Sequence, residues 1–503
     1  MGVSKHKWLL LLVIILAALL RLYMLGDKSL SFDETFHPYL RISGEDFWGS
    51  IIGFSPYPPV WDIFTHWTTG LTLGEFWLRL PSVIFGTLTV LFVYLTINLI
   101  FDRKVALLSS FLTAISPLAV YVSQDLKPYS LLSFSFLLSF YFFINLLKSK
   151  KSIYWILFAL TTAAAAYVHW YVLIYILILN LYIFIHKRKV LAKWLYLQAL
   201  LFVLLSPLLY YAMTLPRINL GEMTAAAKLL TLPYILQGYA LGEVSPYMVG
   251  YSINMALIPL LIPLILVIFY LFIKGAKSSR LLLYILLIPV ILYAISFFLP
   301  LQIVPKRVSF AAFAFYAIIA KGLFSVRNKA KFNILLVILI LSSFFSLVYF
   351  YQDDKENWRS ASYFISNRFQ EGDVIGFMSA QMRTTLVYNF HMASIDLPVK
   401  GIPYDTSFTD ARLKTKPIDI PTKVTINNLK NIDAITNGHE RLWLVQTREQ
   451  SRYVDPDNLV KQYLDSNYKL ISSKYYSKDA IKIYLYDLKE PQKPILPKKK
   501  GGC

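Results

Sequence analysis

Residues 129–151 read YSLLSFSFLLSFYFFINLLKSKK, a long apolar run that ends in a cluster of lysines. A helix of about 20 mostly apolar residues is long enough to cross the hydrocarbon core of a bilayer. Lysine and arginine collect beside such helices on the cytoplasmic side of the membrane. The stretch therefore predicts a transmembrane helix over residues 129–147 whose C-terminal end faces the cytoplasm.

Equivalent apolar runs recur on both sides of this stretch. They lie at residues 8–25, 82–100, 105–122, 191–213, 250–273, 281–299, 308–324 and 332–351. A further apolar stretch, from Ser152 to Ile185, is too long for one helix and has basic clusters at both ends. Two short helices that turn near His169 would place both clusters on one side of the membrane. The predicted fold class is therefore a polytopic α-helical membrane protein with about eleven transmembrane helices.

The composition agrees with this interpretation. A mean hydropathy of +0.53 and a hydrophobic share of 56% exclude a soluble chain of 503 residues. The only cysteine, Cys503, excludes an intrachain disulfide and a thiolate metal cluster. The net charge of +21 is divided among short clusters between the apolar runs, which favours a role in membrane orientation over nucleic-acid binding.

The first apolar run, residues 8–25, resembles a signal peptide in outline, but no small-residue cleavage site follows it. We therefore interpret it as an uncleaved transmembrane helix, with the Arg21 side chain snorkelling to the headgroups.

The distribution of charge predicts the orientation in the cell membrane. With the N-terminus in the cytoplasm, every predicted inner segment is basic: Lys5/Lys7, Arg103/Lys104, Lys148/Lys150/Lys151, Lys187/Arg188/Lys189, Lys274/Lys277/Arg280 and Arg327/Lys329/Lys331. An odd number of spans then places the C-terminal part outside. Among the acidic residues of the membrane part, only Asp102 falls in an inner segment. We therefore expect the chemistry on the outer face.

From about Gln352 onward the chain has the composition of a soluble domain, with evenly spread charges. Short apolar runs that alternate with helix-like stretches predict a small α/β domain. The predicted strands are Asp373–Phe377, Leu442–Gln446 and Ile481–Tyr486, and the predicted helices are Ala380–Asn389 and Asn458–Asn467. The predicted organisation is a membrane core at 1–351 that includes the first outer loop (26–81), an extracytoplasmic domain at 352–490, and a disordered basic tail at 491–503.

The first outer loop contains two adjacent acids, Asp33 and Glu34, a few residues beyond the first span. Neighbouring carboxylates repel each other, which raises at least one pKa and produces a base of adjustable strength. An alternative is structural: Asp33 caps a short interfacial helix, with Glu34 in its first turn. The two interpretations are compatible, and the sequence leaves both open.

The second outer loop is very short and contains Asp125, Lys127 and Tyr129. An ammonium at headgroup depth suits a lipid phosphate, since it is a compact point charge. Alternatively, Lys127 pairs with Asp125 or snorkels to the membrane surface. The spacing alone does not separate these options.

Three more residues are candidates on the outer side. His169 is ionisable in otherwise apolar sequence, so it is either functional or simply solvated at a turn. Lys306 and Arg307 begin the tenth predicted span on its outer side, against the positive-inside trend. That position favours an anionic partner such as a lipid phosphate.

Taken in order, these segments resemble the membrane glycosyltransferases of the protein O-mannosyltransferase superfamily, in particular the prokaryotic branch known as glycosyltransferase family 39 or RgtA/B/C/D-like, with the GT-C fold. No single segment is specific, but the ordered set covers most of the first 380 residues. The segments are Leu20–Gly26, Ser31–Glu34, Tyr57–Pro59, Leu78–Pro81, Ser116–Pro117, Tyr121–Tyr129, His169–Tyr171, Pro305–Arg307, Asn357–Arg359 and Gly372–Ile375.

The resemblance implies an inverting transfer of a monosaccharide from a polyprenyl-phosphate carrier to an acceptor hydroxyl. It assigns the general base to Asp33, with Glu34 shaping the pocket or touching the sugar. The expected group that binds the donor's phosphate or sugar comprises Asp125, Lys127, Tyr129, His169, Lys306 and Arg307. Relatives usually have Gln-Glu-Ala-Arg-x-Tyr where this chain has Gln124 to Tyr129 with Lys127 in place of the arginine, and lysine cannot grip a phosphate bidentately.

Other classes of chemistry lack their motifs in this sequence. It contains no phosphate-cradling glycine loop, no His-Glu-x-x-His and no Gly-x-Ser-x-Gly elbow. A lipid or glycan transporter is the main alternative, although no internal repeat supports it; a structural membrane protein whose outer domain binds a partner is another. The expected partners are the lipid-linked donor, an acceptor protein, lipid or glycan, and membrane lipids, without nucleic acid. No metal ligand cluster is evident, and a divalent metal remains open as a cofactor.

Overall fold

The computed structural model describes residues 2–54, 57–214, 225–244, 248–249, 252–253, 257–299, 301, 303–353, 356–378, 383–405, 424–448, 454–477 and 480–489. The predicted tail at 491–503 lies outside these residues. The chain forms two compact units. The helical unit comprises Met1–Leu25, Pro56–Ile63 and Phe76–Asp353, and the α/β unit comprises Gly26–Ser55, Phe64–Glu75 and Asp354–Cys503.

Most of the predicted apolar runs form helices. The α-helices described in the first 353 residues are α1 (Gly2–Leu22), α2 (Phe32–Ser43), α3 (Phe47–Phe54), α4 (Pro59–Leu71), α5 (Glu75–Ile100), α6 (Arg103–Ala114), α7 (Pro117–Ser123), α8 (Tyr129–Lys148), α9 (Ile153–Val168), α10 (Val172–His186), α11 (Leu191–Thr214), α12 (Ala225–Leu241), α13 (Ile258–Ala276), α14 (Arg280–Ile295), α15 (Ala312–Phe324) and α16 (Lys329–Gln352). A 3-10 helix, Pro305–Ala311, leads into α15.

Within the described residues, five helical segments are long and apolar enough to cross a membrane: Glu75–Ile100, Tyr129–Lys148, Arg188–Met213, Pro305–Phe324 and Lys329–Gln352. The pair α6 and α7 together makes a sixth, with a bend of 59° between its halves. Shorter apolar helices are Ile153–Val168, Val172–His186, Leu261–Ala276 and Arg280–Ile295. The first two of these form the predicted pair that turns near His169, while the count of eleven spans stays a prediction.

Two predicted spans are wrong in detail. Residues 105–122 are not one helix, because Pro117 lacks the backbone N–H that would continue α6 and instead begins α7, with Ser116 as its N-cap. The run from residue 250 is not one helix either, because residues Ser252–Ile253 form strand β2, which pairs antiparallel with β1 (Met248–Val249), and helix α13 begins at Ile258. Apolar content alone does not distinguish these local structures.

Arg21 does not snorkel, as the sequence suggested, but is fully buried. Its guanidinium donates to the carbonyl oxygens of Ala114 at 3.1 Å and Thr113 at 3.4 Å, which end α6, and to Ser123 Oγ at 3.1 Å, which ends α7. A methyl group at Gly86 of α5 would lie 2.0 Å from Ser123 Oγ, so only glycine leaves room for this contact. Arg21 therefore supplies donors to carbonyls that the helix break leaves without intrahelical partners.

The α/β unit contains a five-stranded sheet in the order β4-β3-β5-β7-β6. Its strands are β3 (Asp373–Met378), β4 (Val399–Ile402), β5 (Arg441–Thr447), β6 (Lys469–Tyr476) and β7 (Ile481–Asp487), and its helices are α17 (Trp358–Ser366), α18 (Thr384–Met392), α19 (Ile426–Leu429), α20 (Asn431–Thr436) and α21 (Leu459–Asn467). Strand β3 pairs in parallel with both β4 and β5. Strand β7 pairs antiparallel with both β5 and β6. All three predicted strands and both predicted helices are present within a few residues of their expected bounds; residues 380–382 of the first helix lie outside the described chain.

Helices cover both faces of this sheet. On one face, Val374 and Leu442 pack with α19, α20 and α21, and on the other face Trp358 of α17 packs against Phe377 and Trp443. Strands buried on both faces read as continuous apolar runs, which is why β3 and β5 were recognisable in the sequence. The loop helix α2 also belongs to this unit, whereas the sequence had assigned the whole first outer loop to the membrane core.

Candidate active site

Arg307 and three tyrosines form the centre of a polar group in the helical unit. The Arg307 guanidinium is hydrogen-bonded to the side chains of Tyr129 and Tyr171. The hydroxyls of Tyr129 and Tyr57 are 2.8 Å apart and share a hydrogen bond. Arg307 lies in the 3-10 helix before α15, and Tyr129 is the first residue of α8. The phenol groups orient the guanidinium through hydrogen bonds and carry no charge of their own.

Two lysines lie beside the same tyrosines. Lys127 Nζ is 5.9 Å from the centre of the Tyr57 ring, and Lys306 Nζ is 6.0 Å from the centre of the Tyr129 ring. Both distances are in the range of a cation–π interaction. Lys127 forms no hydrogen bond or ion pair with any described residue. The structure thus does not contain the Asp125–Lys127 pair that the sequence left open, and Lys127 carries a positive charge at the edge of this group.

His169 ends α9 and is only 3% exposed. Its Nδ1 accepts a hydrogen bond from Tyr171 N at 3.2 Å, which puts the proton of the neutral ring on Nε2. Nε2 is buried and has no partner among the described residues, and the ring lies 5.4 Å from that of Tyr57. Burial, and then the charge of Arg307, lower the pKa of His169 to about 3. The ring is therefore neutral at ordinary pH and offers one N–H donor.

Two acids accompany the cations. Asp125 is buried, and its backbone oxygen accepts from Ser82 Oγ at 2.9 Å, which ties the second outer loop to α5. Glu243, just after α12, accepts from Lys306 N at 2.9 Å through its Oε2. Burial raises the pKa of the Glu243 carboxyl, and Lys306 opposes that shift. Glu243 thereby fixes the backbone from which Lys306 and Arg307 extend.

Asp33 and Glu34 lie in the first turn of α2, in the α/β unit. The N-cap is Ser31 rather than Asp33, and Glu34 closes a capping box: its Oε2 accepts from Ser31 N at 2.9 Å and from Ser31 Oγ at 3.0 Å. Glu34 is 1% exposed, whereas Asp33 is exposed. The sequence therefore correctly offered a helix that starts here with Glu34 in its first turn. It was wrong in taking Asp33 as the capping residue, which is Ser31.

The start of α2 is bound to the chain that precedes and begins α17. Glu356 Oε2 accepts from Phe32 N at 3.1 Å and from Trp358 Nε1 at 2.7 Å. Arg359 donates its backbone N–H to Ser29 Oγ at 3.1 Å, and its side chain forms an ion pair with Glu75. These bonds hold the turn that carries Asp33 against the segment at 356–359.

A second set of bonds fixes the body of α2. Thr35 Oγ1 and Thr384 Oγ1 of α18 are 2.9 Å apart and share a hydrogen bond. One turn later, Tyr39 donates to Glu45 Oε1 at 3.0 Å and is hydrogen-bonded to Arg383. Helix α2 thus has partners in two segments of the C-terminal part, and Asp33 projects from a helix whose position is determined along its length.

Glu243 and Glu356 are two acids of these groups that the sequence alone does not single out. Each acts through backbone or indole N–H groups distant in sequence, so no local motif reveals them. Glu356 could have been noticed from its place beside Asn357-Trp358-Arg359. Within the described residues, no three His, Cys, Asp or Glu side chains come together as a metal site would require.

The comparisons with known proteins agree with this architecture. Residues 57–211 match the sequence model of the family described as dolichyl-phosphate-mannose-protein mannosyltransferase. Among curated protein sequences there is no significant match. The matched segment contains Tyr57, Lys127, Tyr129 and His169, which are four of the residues described above.

Solved structures extend the similarity to nearly the whole chain. ArnT from Cupriavidus metallidurans bound to undecaprenyl phosphate matches with a TM-score of 0.58 at 12% identity, over 96% of this chain and 98% of that chain. The apo state of the same protein matches with a TM-score of 0.59 at 12% identity and the same coverage. The oligosaccharyltransferase AglB from Archaeoglobus fulgidus, in complex with an inhibitory peptide and a dolichol-phosphate, matches with a TM-score of 0.52 at 14% identity, over 96% of this chain and 74% of that chain.

These similarities confirm the resemblance and the fold class predicted from the sequence. The identities are too low to transfer a substrate, but the fold is shared along the chain. The protein is a multi-pass membrane protein with the fold of the GT-C glycosyltransferases and a small C-terminal α/β domain.

Proposed function

We propose that this protein is an inverting glycosyltransferase that moves a monosaccharide from a polyprenyl-phosphate carrier to an acceptor hydroxyl at the extracytoplasmic face of the membrane. The observation that carries the proposal is the group around Arg307 in a protein of GT-C fold. It combines a guanidinium held by tyrosines, an ammonium without an ion-pair partner among the described residues, and a buried neutral N–H donor. Two structures of the same fold are complexes with polyprenyl phosphates.

In this proposal Arg307 and Lys127 bind the phosphate of the carrier, and Lys306 assists. The bond between the anomeric carbon and the phosphate oxygen breaks, and the carrier leaves as a phosphate with an added negative charge. Cations held in place before the reaction stabilise that charge without reorganisation. Because Lys127 is a flexible point charge, Arg307, which the tyrosines hold, contributes more to orientation.

Asp33 acts as the general base in this proposal. It removes the proton from the acceptor hydroxyl as the acceptor oxygen attacks the anomeric carbon on the face opposite the phosphate, which inverts the centre. The partial positive charge at the start of α2 stabilises the carboxylate form. Glu34 has a different role: it positions Asp33 by closing the capping box.

Transfer of radiolabel from a polyprenyl-phosphate sugar, measured with purified protein in lipid nanodiscs and a panel of protein, lipid and glycan acceptors, tests the reaction. Asp33→Asn should lower kcat by at least about 100-fold, the usual contribution of a general base. Glu34→Gln, which can still form a capping box, should keep most of the activity, whereas Glu34→Ala should not. Full activity of Asp33→Asn would remove Asp33 from the role of base.

Each further part of the proposal has its own assay. Parallel reactions with EDTA and with added Mg²⁺ or Mn²⁺ determine the metal requirement that the sequence leaves open. Movement of labelled lipid across the bilayer without sugar transfer would favour the transporter instead.

Lys127→Gln and Arg307→Gln should raise KM for the donor, and the exposed Lys189→Gln serves as the matched control.

The orientation is tested with the native Cys503, which a membrane-impermeant maleimide should label in intact cells. Labelling only after permeabilisation would place the C-terminal domain in the cytoplasm and contradict the proposal.

A further inference from the structure

The helical unit contains an apolar groove that the proposed reaction does not use. It lies between the first half of α1, the start of α6, the end of α15 and the start of α16, and its volume is about 440 Å³. That size is within the usual range of pockets that bind small organic ligands, about 300–1,000 Å³. Its apolar lining comprises Leu9, Leu12, Val13, Leu16, Leu107, Leu108, Phe111, Phe324, Phe332 and Leu336.

This groove lies at the opposite ends of its helices from the group around Arg307. It contacts the N-terminal half of α1 and begins at the second residue of α6, whereas Lys127 follows α7 and Arg307 precedes α15. Along α1 alone, the 15 residue steps from His6 to Arg21 span about 22 Å at 1.5 Å per step. By the predicted topology, the groove opens at cytoplasmic headgroup depth.

One end of the groove is cationic. Lys104 and His6 are the only polar residues among the described residues that line it. His6 Nδ1 is buried and has no hydrogen-bond partner among the described residues. The neighbouring acid, Asp102, is the N-cap of α6. Its Oδ1 accepts hydrogen bonds from Lys104 N at 2.9 Å and from Val105 N at 3.1 Å.

Apolar walls with cations at one end complement one kind of membrane molecule. An acyl chain suits the leucine and phenylalanine walls, and a phosphate suits the ammonium of Lys104 and a donor from His6. Basic pockets between transmembrane helices on the cytoplasmic side bind anionic headgroups in this way. We propose that this groove is a binding site for an anionic phospholipid, with one acyl chain between α1 and α6 and its phosphate at Lys104 and His6.

Native mass spectrometry of the purified protein, after exchange into equal amounts of phosphatidylglycerol and phosphatidylcholine, tests the site. The wild-type protein should retain one phosphatidylglycerol molecule in preference to phosphatidylcholine. Lys104→Gln should reduce that preference several-fold, because the charge at the groove end is lost. Lys189→Gln, an exposed cation on another predicted cytoplasmic loop, should leave it unchanged.

The groove itself is tested by filling it. Leu12 and Leu19 lie on α1 and are both 60% exposed, but only Leu12 lines the groove. Leu12→Trp should displace the retained lipid, and Leu19→Trp should not. Equal retention of both lipids by the wild-type protein, or undiminished retention of phosphatidylglycerol by both Lys104→Gln and Leu12→Trp, would overturn the proposal; the exposed Lys104 substitution keeps the test valid if Leu12→Trp fails to fold.

Discussion

At Arg307 the protein keeps a cation partly buried beside tyrosine side chains. Its guanidinium is hydrogen-bonded to Tyr129 and Tyr171, the nearby His169 is neutral, and the Glu243 carboxyl interacts with it electrostatically. The tyrosines therefore orient the guanidinium, and Glu243 compensates part of its charge.

His169 should act as a hydrogen-bond donor and not as an acid. His169→Phe removes the buried Nε2–H while keeping a ring, and we expect kcat/KM to fall about tenfold, which corresponds to ~1.4 kcal/mol. His169→Gln, which retains a donor, should recover part of the loss. Because the pKa of His169 lies near 3, neither variant should change the pH profile between pH 5 and 9. An inflection near pH 6.5 that disappears in His169→Gln would contradict this role.

Asp373 makes the stability of the α/β unit depend on pH. Burial raises the pKa of its carboxyl, but bonds from Arg441, Trp443 and the backbone of Gln370 outweigh that effect and hold the pKa below its usual value. This contribution is fully present above the ordinary aspartate pKa of about 3.9 and is lost as the pH falls through the lower folded-state value.

Asp373→Asn should therefore destabilise the unit at pH 7 by ~1–3 kcal/mol. The difference from the wild-type protein should begin to shrink towards pH 3, because the unfolded wild-type chain takes up a proton there before the folded carboxyl does. Thermal unfolding followed by tryptophan fluorescence at both pH values measures the effect, and the exposed Asp396→Asn is the control. A difference that does not change with pH would contradict the assignment.

At the scale of elements, the broken helix formed by α6 and α7 organises the second outer loop. Arg21 of α1 bonds to the end of each half, and Gln124 Nε2 donates back to the carbonyl oxygens of Arg21 at 3.0 Å and Tyr23 at 2.7 Å. The loop that follows carries Asp125 and Lys127. The bend is thus joined to α1 on the side from which Lys127 extends.

A double-mutant cycle tests whether Arg21 supplies the hydrogen-bond donors that the carbonyl groups at the helix break lack. Arg21→Met leaves the carbonyls of Thr113 and Ala114 without this donor, and each unsatisfied buried group costs ~1–3 kcal/mol. Pro117→Ala returns a backbone N–H that can bond to Thr113, so Arg21→Met should be less harmful in that background. Unfolding temperatures in detergent give the coupling, and the exposed Arg103→Met is the control. Additive effects of the two substitutions would contradict the role given to Arg21.

At the scale of the whole molecule, the chain does not divide at one point. Residues of the first outer loop, Gly26–Ser55 and Phe64–Glu75, belong to the same compact unit as the C-terminal part. Glu356 and Arg359 connect to Phe32, Ser29 and Glu75 across more than 280 residues of sequence. The C-terminal domain and the segment that carries Asp33 are therefore parts of one compact unit.

This organisation predicts a catalytic role for the C-terminal domain through positioning. Glu356→Ala removes the acceptor of the Phe32 and Trp358 N–H groups, so the turn with Asp33 should be less well placed. We expect kcat to fall about tenfold or more while KM for the donor stays unchanged, because the residues proposed to bind the donor lie in the other unit. Glu356→Gln should recover part of the activity, and the exposed Glu371→Gln should match the wild-type protein. A change confined to KM for the donor would contradict this role.

The sequence by itself determined the polytopic class, most of the apolar helices and the alternating strands and helices of the C-terminal domain. These features depend on hydropathy and periodicity, which are local and survive without knowledge of the partners. Tertiary structure alone decided that Arg21 is buried at a helix break, that Glu34 and not Asp33 completes the cap, and that Glu243 and Glu356 bind the backbone N–H groups of Lys306 and Phe32. Each of these depends on a donor and an acceptor meeting in space, often across distant parts of the chain, and the order of residues does not encode such a meeting in any local pattern.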